Sequence, residues 1–430
     1  MEDRLGPAAL ASTMVDVERA LARVQAPLGI VPTTAAEAID RTLEGYRPDL
    51  SLLHEGAAAD AVPVPALVRA LRVAVGGSAA DFVHYGATSQ DILDTAFVLQ
   101  LSGVLDVLED RRQRLVEALA VLADRHRRTA MVGRTRYQQA APTAFGVKVT
   151  GWLLPLVRHG ARLTELRPRV LCVQLGGATG HLSAFGALGP AMTDALATEL
   201  GLAVPPAPWH AQRDGFVELG AWFLMVGGGL GKIGSDVLSM AQTEVGELAE
   251  GQGGGSSSLP QKANPIRAEA LVTLARRAPG DFASLAQALV HVHERDGAAW
   301  QLEAPALAKL AVGAAASLRV AAELVDGLVV DPVRMVHHLD HGGGTVLAEG
   351  AILALLPHVG RAEAESLVKS ALAAAVADGS HLIDEIASRA TAPVDWAAAL
   401  DPAQQFGAVD ALIDSAIAAA GLTLPPSNDV

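Results

Sequence analysis

LSGVLDVLEDRRQRLVEALAVLADRHR, residues 101–127, is the stretch that decides the fold class. Its leucines recur at three- and four-residue steps, which places them on one face of an α-helix; they are Leu101, Leu105, Leu108, Leu115, Leu119 and Leu122. Similar patterns predict further helices over 145–167, 216–250, 266–293 and 304–327. Valine-rich alternating runs between turn residues are scarce, so we predict an all-α protein with few strands and no large sheet.

Two of the later helices are apolar or small on nearly every side, namely residues 221–242 and 307–325. A helix that is apolar all round is buried all round. These segments therefore favour the centre of a multi-helix bundle, with part of the burial supplied by other subunits. We predict a central long-helix domain over 104–336, a helical domain over 1–103 and another over 337–430. The proline-rich stretches 203–208 and 392–402 are predicted to be loops or turns.

Composition narrows the class of protein. The net charge of −14 argues against a nucleic-acid-binding protein, because phosphate binding needs clustered Lys and Arg. The single cysteine, Cys172, provides neither an internal disulfide nor a CxxC metal framework. The N-terminal residues lack the basic and apolar regions of a signal peptide, and the apolar run 219–231 is short for a membrane span. We expect a cytoplasmic protein without membrane association.

Three polar segments interrupt the alanine- and leucine-rich background. They are HYGATSQDILDTA (84–96), GRTRYQQAAPTAFG (133–146) and PWHAQRD (208–214). Each also has an ordinary structural interpretation. Thr88 or Ser89 suits a helix N-cap, two arginines suit a surface loop, and a lone histidine is more often structural than catalytic. The functional alternative is a set of groups that bind carboxylates.

A fourth segment is EGQGGGSSSLPQKANPIRAEA, residues 250–270. Glycine and serine are typical of a flexible linker, but a linker does not need a lysine and an asparagine two residues apart. The segment does not match the phosphate-binding GxxxxGK[ST] pattern. Its composition suits a mobile loop that closes over a ligand and supplies hydrogen-bonding groups.

Together these segments resemble the fumarase/aspartase superfamily, whose signature loop is GSSxMPxKxNP. Residues 255–265 read GSSSLPQKANP, with leucine at position 259 where methionine is usual. The other segments follow in the order of the superfamily, and with QLGGATG (174–180) they look most like the bacterial 3-carboxy-cis,cis-muconate cycloisomerases. This resemblance implies a three-domain, all-α homotetramer with active sites shared between subunits. It also implies a small di- or tricarboxylate substrate and no metal or organic cofactor.

The resemblance assigns roles residue by residue. Ser256 matches the catalytic base, and Lys262 and Asn264 match contacts to the substrate carboxylate. The remaining positions are expected to bind substrate: His84, Thr88, Ser89, Arg134, Thr135, Arg136, Gln138, His210 and Arg213.

Arg136 is the most discriminating of these positions. Adenylosuccinate and argininosuccinate lyases carry a general-acid histidine there, because they expel a basic nitrogen. A carboxylate, whose acid has a pKa of about 4, leaves or attacks without a general acid. Arg136 therefore argues against nitrogen elimination and is compatible with lactone formation by a cycloisomerase. The alternatives are a lyase with a weakly basic leaving group such as nitrite, an adenylosuccinate lyase, and a catalytically silent relative that serves as a binding protein.

Overall fold

The computed structural model describes residues 1–251, 253–255 and 257–424. Its helices in the first half are α1 (Glu2–Leu5), α2 (Pro7–Gln25), α3 (Thr33–Leu43), α4 (Leu50–Asp60), α5 (Val64–Val75), α6 (Ser89–Arg125), α7 (Phe145–Val170) and α8 (Gly189–Leu200). The second half contains α9 (Asp214–Met240), α10 (Ile266–Gln287), α11 (Gly297–Asp326), α12 (Pro332–Asp340), α13 (Ala348–Val359), α14 (Arg361–Asp378), α15 (Leu382–Arg389), α16 (Trp396–Ala399) and α17 (Val409–Ala419). The all-α prediction is confirmed.

The long helices lie close to where periodicity predicts them. The face of α6 that carries the leucines is buried, as the pattern requires. The predicted helix 216–250 ends early, at Met240, and the turns that lead to strand β3 (Leu248–Glu250) include Gly246, with φ of 59°. Left-handed backbone of this kind interrupts a helix and favours glycine. A three-residue strand is too short for an alternating pattern to reveal it.

The strands in the described part of the chain form two small antiparallel sheets. β1 (Ala130–Thr135) and β2 (Gln138–Ala144) make a hairpin whose register shifts at Gly133, and β3 pairs with β4 (Leu328–Val330). Arg136 and Tyr137 form the two-residue turn of the hairpin with φ of 51° and 66°. Positive φ at both central residues matches a type I′ turn, which usually needs Asn or Gly there. The hairpin tip is therefore strained.

The chain divides into two compact units. The first contains residues 1–111, 159–228 and 274–317, and the second contains residues 112–158, 229–273 and 318–430 apart from the undescribed positions. Met14, Leu21 and Leu67 belong to a core of the first unit. Leu355 and Leu382 belong to a core of the second. The predicted boundaries of three domains, at 103/104 and 336/337, stay a prediction.

Helix α9 is long and apolar enough to cross a membrane, and α12 with residues 345–359 passes the same test as a pair bent by 81°. These are criteria of length and composition alone. Leu219, Trp222 and Phe223 of α9 are each at most 1% exposed within this single chain. Helix α9 therefore has the burial expected of a helix in a protein core.

Candidate active site

The first polar segment begins α6 in the first unit. Thr88 directly precedes the helix, and its backbone N–H donates to the Asp91 carboxylate at 2.9 Å. This is one half of a capping box, in which the third helical residue reaches back to the N-cap. Thr88 therefore occupies the N-cap position of α6, and its backbone N–H makes the capping hydrogen bond. Its hydroxyl has a different partner, because Oγ1 accepts a hydrogen bond from Arg295 at 2.7 Å.

Asp91 joins two of the polar segments, 84–96 and 208–214, to QLGGATG (174–180). Besides Thr88, its buried carboxylate accepts hydrogen bonds from Gly176 N and Gly177 N, both at 2.9 Å. His210 Nε2 lies 2.7 Å from Asp91 Oδ1. A carboxylate that accepts several N–H groups fixes all of them at once. Asp91 thus holds 84–96, 174–180 and 208–214 together, a role that the motif comparison did not assign to it.

Glycine is required at position 176, where QLGGATG packs against PWHAQRD (208–214). A Cβ atom at this position would lie 2.7 Å from His210 Cε1 and 2.9 Å from Pro208 Cβ. Gly177 has φ of 70°, which other residues adopt at a cost. The paired glycines therefore allow the backbone to reach both Asp91 and His210.

Arg213 is fully buried in a cluster of charges in the first unit. Its guanidinium donates to Asp94 Oδ2 at 2.7 Å and to Glu303 Oε1 at 2.8 Å, and its Cζ lies 4.7 Å from the centroid of the Trp209 ring. One guanidinium faces two carboxylates, so the cluster has an excess negative charge. Burial raises the pKa of Glu303 to about 7, against the opposing effect of Arg213. The predicted substrate contact by Arg213 stays a prediction, since these bonds all go to internal groups.

His84 precedes α6 in left-handed backbone, with φ of 63°. Its Nδ1 lies 2.6 Å from Oε1 of Glu18, whose residue is 2% exposed. Burial works to lower the pKa of His84, but the Glu18 carboxylate outweighs it, so the pKa lies above its ordinary value. The Glu18 carboxylate thus favours the protonated form of His84.

The second polar segment forms the β1–β2 hairpin in the second unit. Arg134 donates Nη1 and Nη2 to the two oxygens of the Glu247 carboxylate at 2.8 and 2.7 Å. His338 Nδ1 lies 2.7 Å from Glu247 Oε1. Glu247 is fully buried, so this bidentate pair fastens β1, near the tip of the hairpin, to the residue that precedes β3. The other predicted residues lie exposed at the tip: Thr135, Arg136 and Gln138.

The signature loop is closed at its base in the second unit. Gly254 and Asn264 exchange backbone hydrogen bonds, each of 2.8 Å, and Asn264 Nδ2 donates to Gly255 O at 3.4 Å. Lys262 is exposed on the segment between them. Ser256, the predicted base, lies outside the described residues. The backbone pair of Gly254 and Asn264 thus closes the base of the loop.

Glu250 anchors the entry to this loop. Its carboxylate accepts hydrogen bonds from Ala268 N at 2.8 Å and Arg267 N at 3.2 Å, in the first turn of α10. A carboxylate at this position satisfies free N–H groups and interacts favourably with the helix dipole. The residue before the loop is thereby bound to the helix after it.

Comparison with known proteins identifies the arrangement. Residues 9–280 match the Lyase_1 family of lyases. The 3-carboxy-cis,cis-muconate cycloisomerase of Pseudomonas aeruginosa is 41% identical over 94% of this chain and 91% of its own length. The chain belongs to the fumarase/aspartase superfamily. The predicted resemblance is confirmed.

Two further relatives of this superfamily are informative. The nitrosuccinate lyase of Streptomyces davaonensis is 37% identical over 99% of this chain and 94% of its own length. The crystal structure of the 3-carboxy-cis,cis-muconate lactonizing enzyme from Pseudomonas putida superposes with a TM-score of 0.90 at 36% identity, covering 96% of this chain and 95% of that one. The predicted superfamily fold is therefore confirmed as well.

Within each unit, the predicted residues gather in sets. In the first unit, Thr88, Ser89, His210 and Arg213 collect around Asp91, Gln90 and Asp94, with His84 next to the same helix start. In the second unit, one hairpin carries Arg134, Thr135, Arg136 and Gln138, and the signature loop carries Lys262 and Asn264. Their roles toward a substrate stay predictions.

Proposed function

We propose that this chain is a cycloisomerase that converts 3-carboxy-cis,cis-muconate to 4-carboxymuconolactone, a step in the catabolism of aromatic compounds by the β-ketoadipate pathway. The single observation that carries the proposal is the 41% identity, over 94% of this chain, to a 3-carboxy-cis,cis-muconate cycloisomerase. Arg136, at the tip of the β1–β2 hairpin, lies where nitrogen-eliminating members carry the acid histidine and so argues against nitrogen elimination. The names of the similar proteins from Pseudomonas support the same reaction.

The reaction needs one proton transfer and no protonated leaving group. One substrate carboxylate adds to a double bond, and Ser256 delivers a proton to the adjacent carbon, which carries the developing negative charge. In the reverse direction Ser256 removes that proton and the carboxylate leaves unaided. The intermediate is an enediolate, which Lys262, Asn264 and N–H groups of the signature loop would stabilise. A serine acts as a base only where a closed, desolvated loop stabilises its alkoxide.

Assembly and location follow from the same proposal. The active enzyme is a cytoplasmic homotetramer of three-domain subunits, and each active site takes residues from more than one chain. The exposed hairpin tip and the exposed Lys262 support this assembly, because groups that serve a shared site lie on the surface of a single chain.

The direct test is ultraviolet absorbance of the conjugated diene during incubation with 3-carboxy-cis,cis-muconate. Lactone formation shortens the conjugation, so we expect the absorbance to fall with micromolar enzyme. Ser256→Ala should reduce turnover by orders of magnitude while leaving the oligomer intact, and Ser258→Ala is the matched control in the same loop. An unchanged spectrum with wild-type enzyme would refute the proposed reaction.

A second candidate function is elimination of nitrite from nitrosuccinate. The similar nitrosuccinate lyase favours it, and nitrite is weakly basic, so Arg136 is equally compatible with it. Release of nitrite and fumarate from nitrosuccinate would establish this activity. Absence of both products, together with diene consumption, would assign the cycloisomerase.

A further inference from the structure

The C-terminal end of α12, in the second unit, carries two exposed histidines one helical turn apart. The chain has 13 histidines, and His337 and His341 are the only two of them separated by four positions. The backbone N–H of His341 donates to His337 O at 3.0 Å, so the helical spacing extends to His341. Residues at this spacing lie on one face of a helix. The two ring centroids are 5.9 Å apart, and we call these side chains the exposed pair.

The ionisable groups next to the exposed pair are used in other contacts. His338 lies on the buried face of α12, and its Nδ1 is 2.7 Å from Oε1 of Glu247. The carboxylate of Asp340 is 3.0 Å from Nε2 of His381. In the part of the chain that the structure describes, the nitrogens of the exposed pair make no hydrogen bond or ion pair. The lone pairs of these two rings are therefore available to a ligand.

Two imidazoles in this arrangement can chelate one transition-metal ion. Zn²⁺ binds imidazole nitrogen at about 2.0–2.1 Å in tetrahedral geometry, which places the centroids of two coordinating rings about 5 Å apart. The observed separation is 5.9 Å. Side-chain rotation that moves the rings together by about 1 Å closes the chelate, and exposed side chains change rotamer easily. Once one ring has bound the ion, the helix holds the second at a high effective concentration.

The electrostatic surroundings of the exposed pair favour a cation. The C-terminal end of an α-helix carries partial negative charge. Asp340, whose side chain is 78% exposed, adds a carboxylate in the same turn. Within the described residues, no group of three or more His, Cys, Asp or Glu side chains is placed to hold a metal ion, so water completes the coordination. Two protein ligands bind an ion less tightly than the four of a structural zinc site.

We propose that His337 and His341 form a binding site for a divalent first-row transition metal, of which Zn²⁺ is the representative. Imidazole suits Zn²⁺, Cu²⁺ and Ni²⁺, whereas Mg²⁺ prefers oxygen ligands. Neither histidine belongs to the polar segments or to the signature loop of the candidate active site. We therefore assign the ion a structural role and no part in the reaction.

The residues that follow the exposed pair indicate what the ion stabilises. Gly342, Gly343 and Gly344 have φ of 93°, 67° and 69°, and they connect α12 to residues 345–359. Glycine has more conformational freedom than any other residue, so three in a row are costly to order. An ion that ties His341 to the preceding turn fixes the point where this connection begins. Metal binding should therefore slow local opening of the end of α12 and of the glycines.

The first test is calorimetric titration of the full chain with ZnCl₂, with MgCl₂ as the control for general attraction of cations to an acidic protein. We expect His337→Gln and His341→Gln each to weaken Zn²⁺ binding by at least roughly tenfold, because each removes one of two ligands. His54→Gln, at an exposed histidine with no histidine four positions away, should bind as wild type does. Affinity should fall at lower pH, since a coordinating imidazole must be deprotonated.

Hydrogen–deuterium exchange locates the ion without relying on any variant. ZnCl₂ should slow exchange in peptides that cover 335–345 of the wild type. The double variant His337→Gln/His341→Gln should not show this protection, and its fold is checked by circular dichroism. Failure of wild-type protein to bind Zn²⁺ at about 1 mM would overturn the proposal. Equal affinity in the double variant, or protection confined to other peptides, would do the same. These outcomes are independent of the reaction that the enzyme catalyses.

Discussion

Substitution of Asp91 by asparagine replaces one carboxylate oxygen with NH₂ at the point where the segments 84–96, 174–180 and 208–214 meet. Oδ1 faces Gly176 N and His210 Nε2, and Oδ2 faces Thr88 N and Gly177 N. The better orientation of asparagine keeps its oxygen toward Thr88 and Gly177. Its NH₂ can then donate to His210 in the tautomer protonated at Nδ1. It cannot accept from Gly176, whose buried N–H is left facing another donor.

The expected cost follows from this count of hydrogen bonds. Bonds to a charged acceptor contribute about 1.5–3 kcal/mol and neutral ones about 0.5–1.5 kcal/mol, so three weakened bonds cost about 1 kcal/mol each. The bond to Gly176 is lost outright, and its unsatisfied N–H costs about 1–3 kcal/mol more. The local opening of the site should therefore become easier by about 4–6 kcal/mol, which corresponds to at least roughly a thousandfold faster amide exchange.

Hydrogen–deuterium exchange read by mass spectrometry measures this directly. Peptides that cover 84–92 and 174–180 should exchange faster in Asp91→Asn, and kcat/KM should fall because Thr88 loses its support. Asp16→Asn, at a side chain 63% exposed, provides the control with the same chemical change. Unaltered protection of 174–180 in folded Asp91→Asn would refute the assignment of Asp91 as the link between these segments.

Three other substitutions test single features. Gly176→Ala forces a methyl group against His210 and should destabilise the protein by about 2–3 kcal/mol, measured as a lower unfolding temperature than in Gly227→Ala, where a Cβ meets nothing within 4 Å. The pKa of about 7 for Glu303 exceeds its ordinary value, so the wild type should lose stability as pH rises from about 4.5 to 7; Glu303→Gln should flatten that profile, and equal slopes for the two proteins would contradict it. The pKa of His84 is raised, so its bond to Glu18 stabilises the folded protein fully below about pH 6.5 and less as the pH rises. His84→Asn, in which asparagine tolerates the positive φ, should therefore destabilise the folded protein more at pH 6 than at pH 9, by about 2 kcal/mol at pH 6.

Much of the fold could be predicted because the signal is local. The leucine repeat of 101–127 lies within α6, and the all-round apolar segments correspond to α9 and α11. The sequence did not reveal the β1–β2 hairpin, part of which suited a surface loop, or three shorter elements: β3 and β4 have three residues each, and α16 has four within a stretch predicted as loop or turn. Elements of that length are stabilised by neighbours distant in the chain and leave no periodicity of their own.

The residues of the candidate site also fall into those that the sequence reveals and those that only the structure reveals. Consecutive motif residues such as Thr88 and Ser89, or Lys262 and Asn264, could be found by comparison with a known family. Asp91, Glu247 and Arg295 were not assigned, because their partners are far away in sequence: His210 is 119 residues from Asp91, and Thr88 is 207 residues from Arg295. Only tertiary contacts show that Arg134 and Arg213 bind internal carboxylates while Arg295 meets neutral oxygens.

The burial of α9 has a consequence for how the protein is made. A Cβ atom at Gly220 would lie 2.2 Å from Leu285 Cδ2 and 3.4 Å from Leu310 Cδ1, so some neighbours of this helix are encoded well downstream, whereas His159, which accepts from Trp222 Nε1, is encoded before it. At about 5–20 residues per second, the ribosome needs roughly 5–18 seconds to reach Leu310 after Gly220. For that time an incompletely covered apolar helix, long enough to be mistaken for a membrane span, has left or is leaving the exit tunnel. Nascent chains of this protein should therefore depend on chaperone capture between the synthesis of α9 and that of α11.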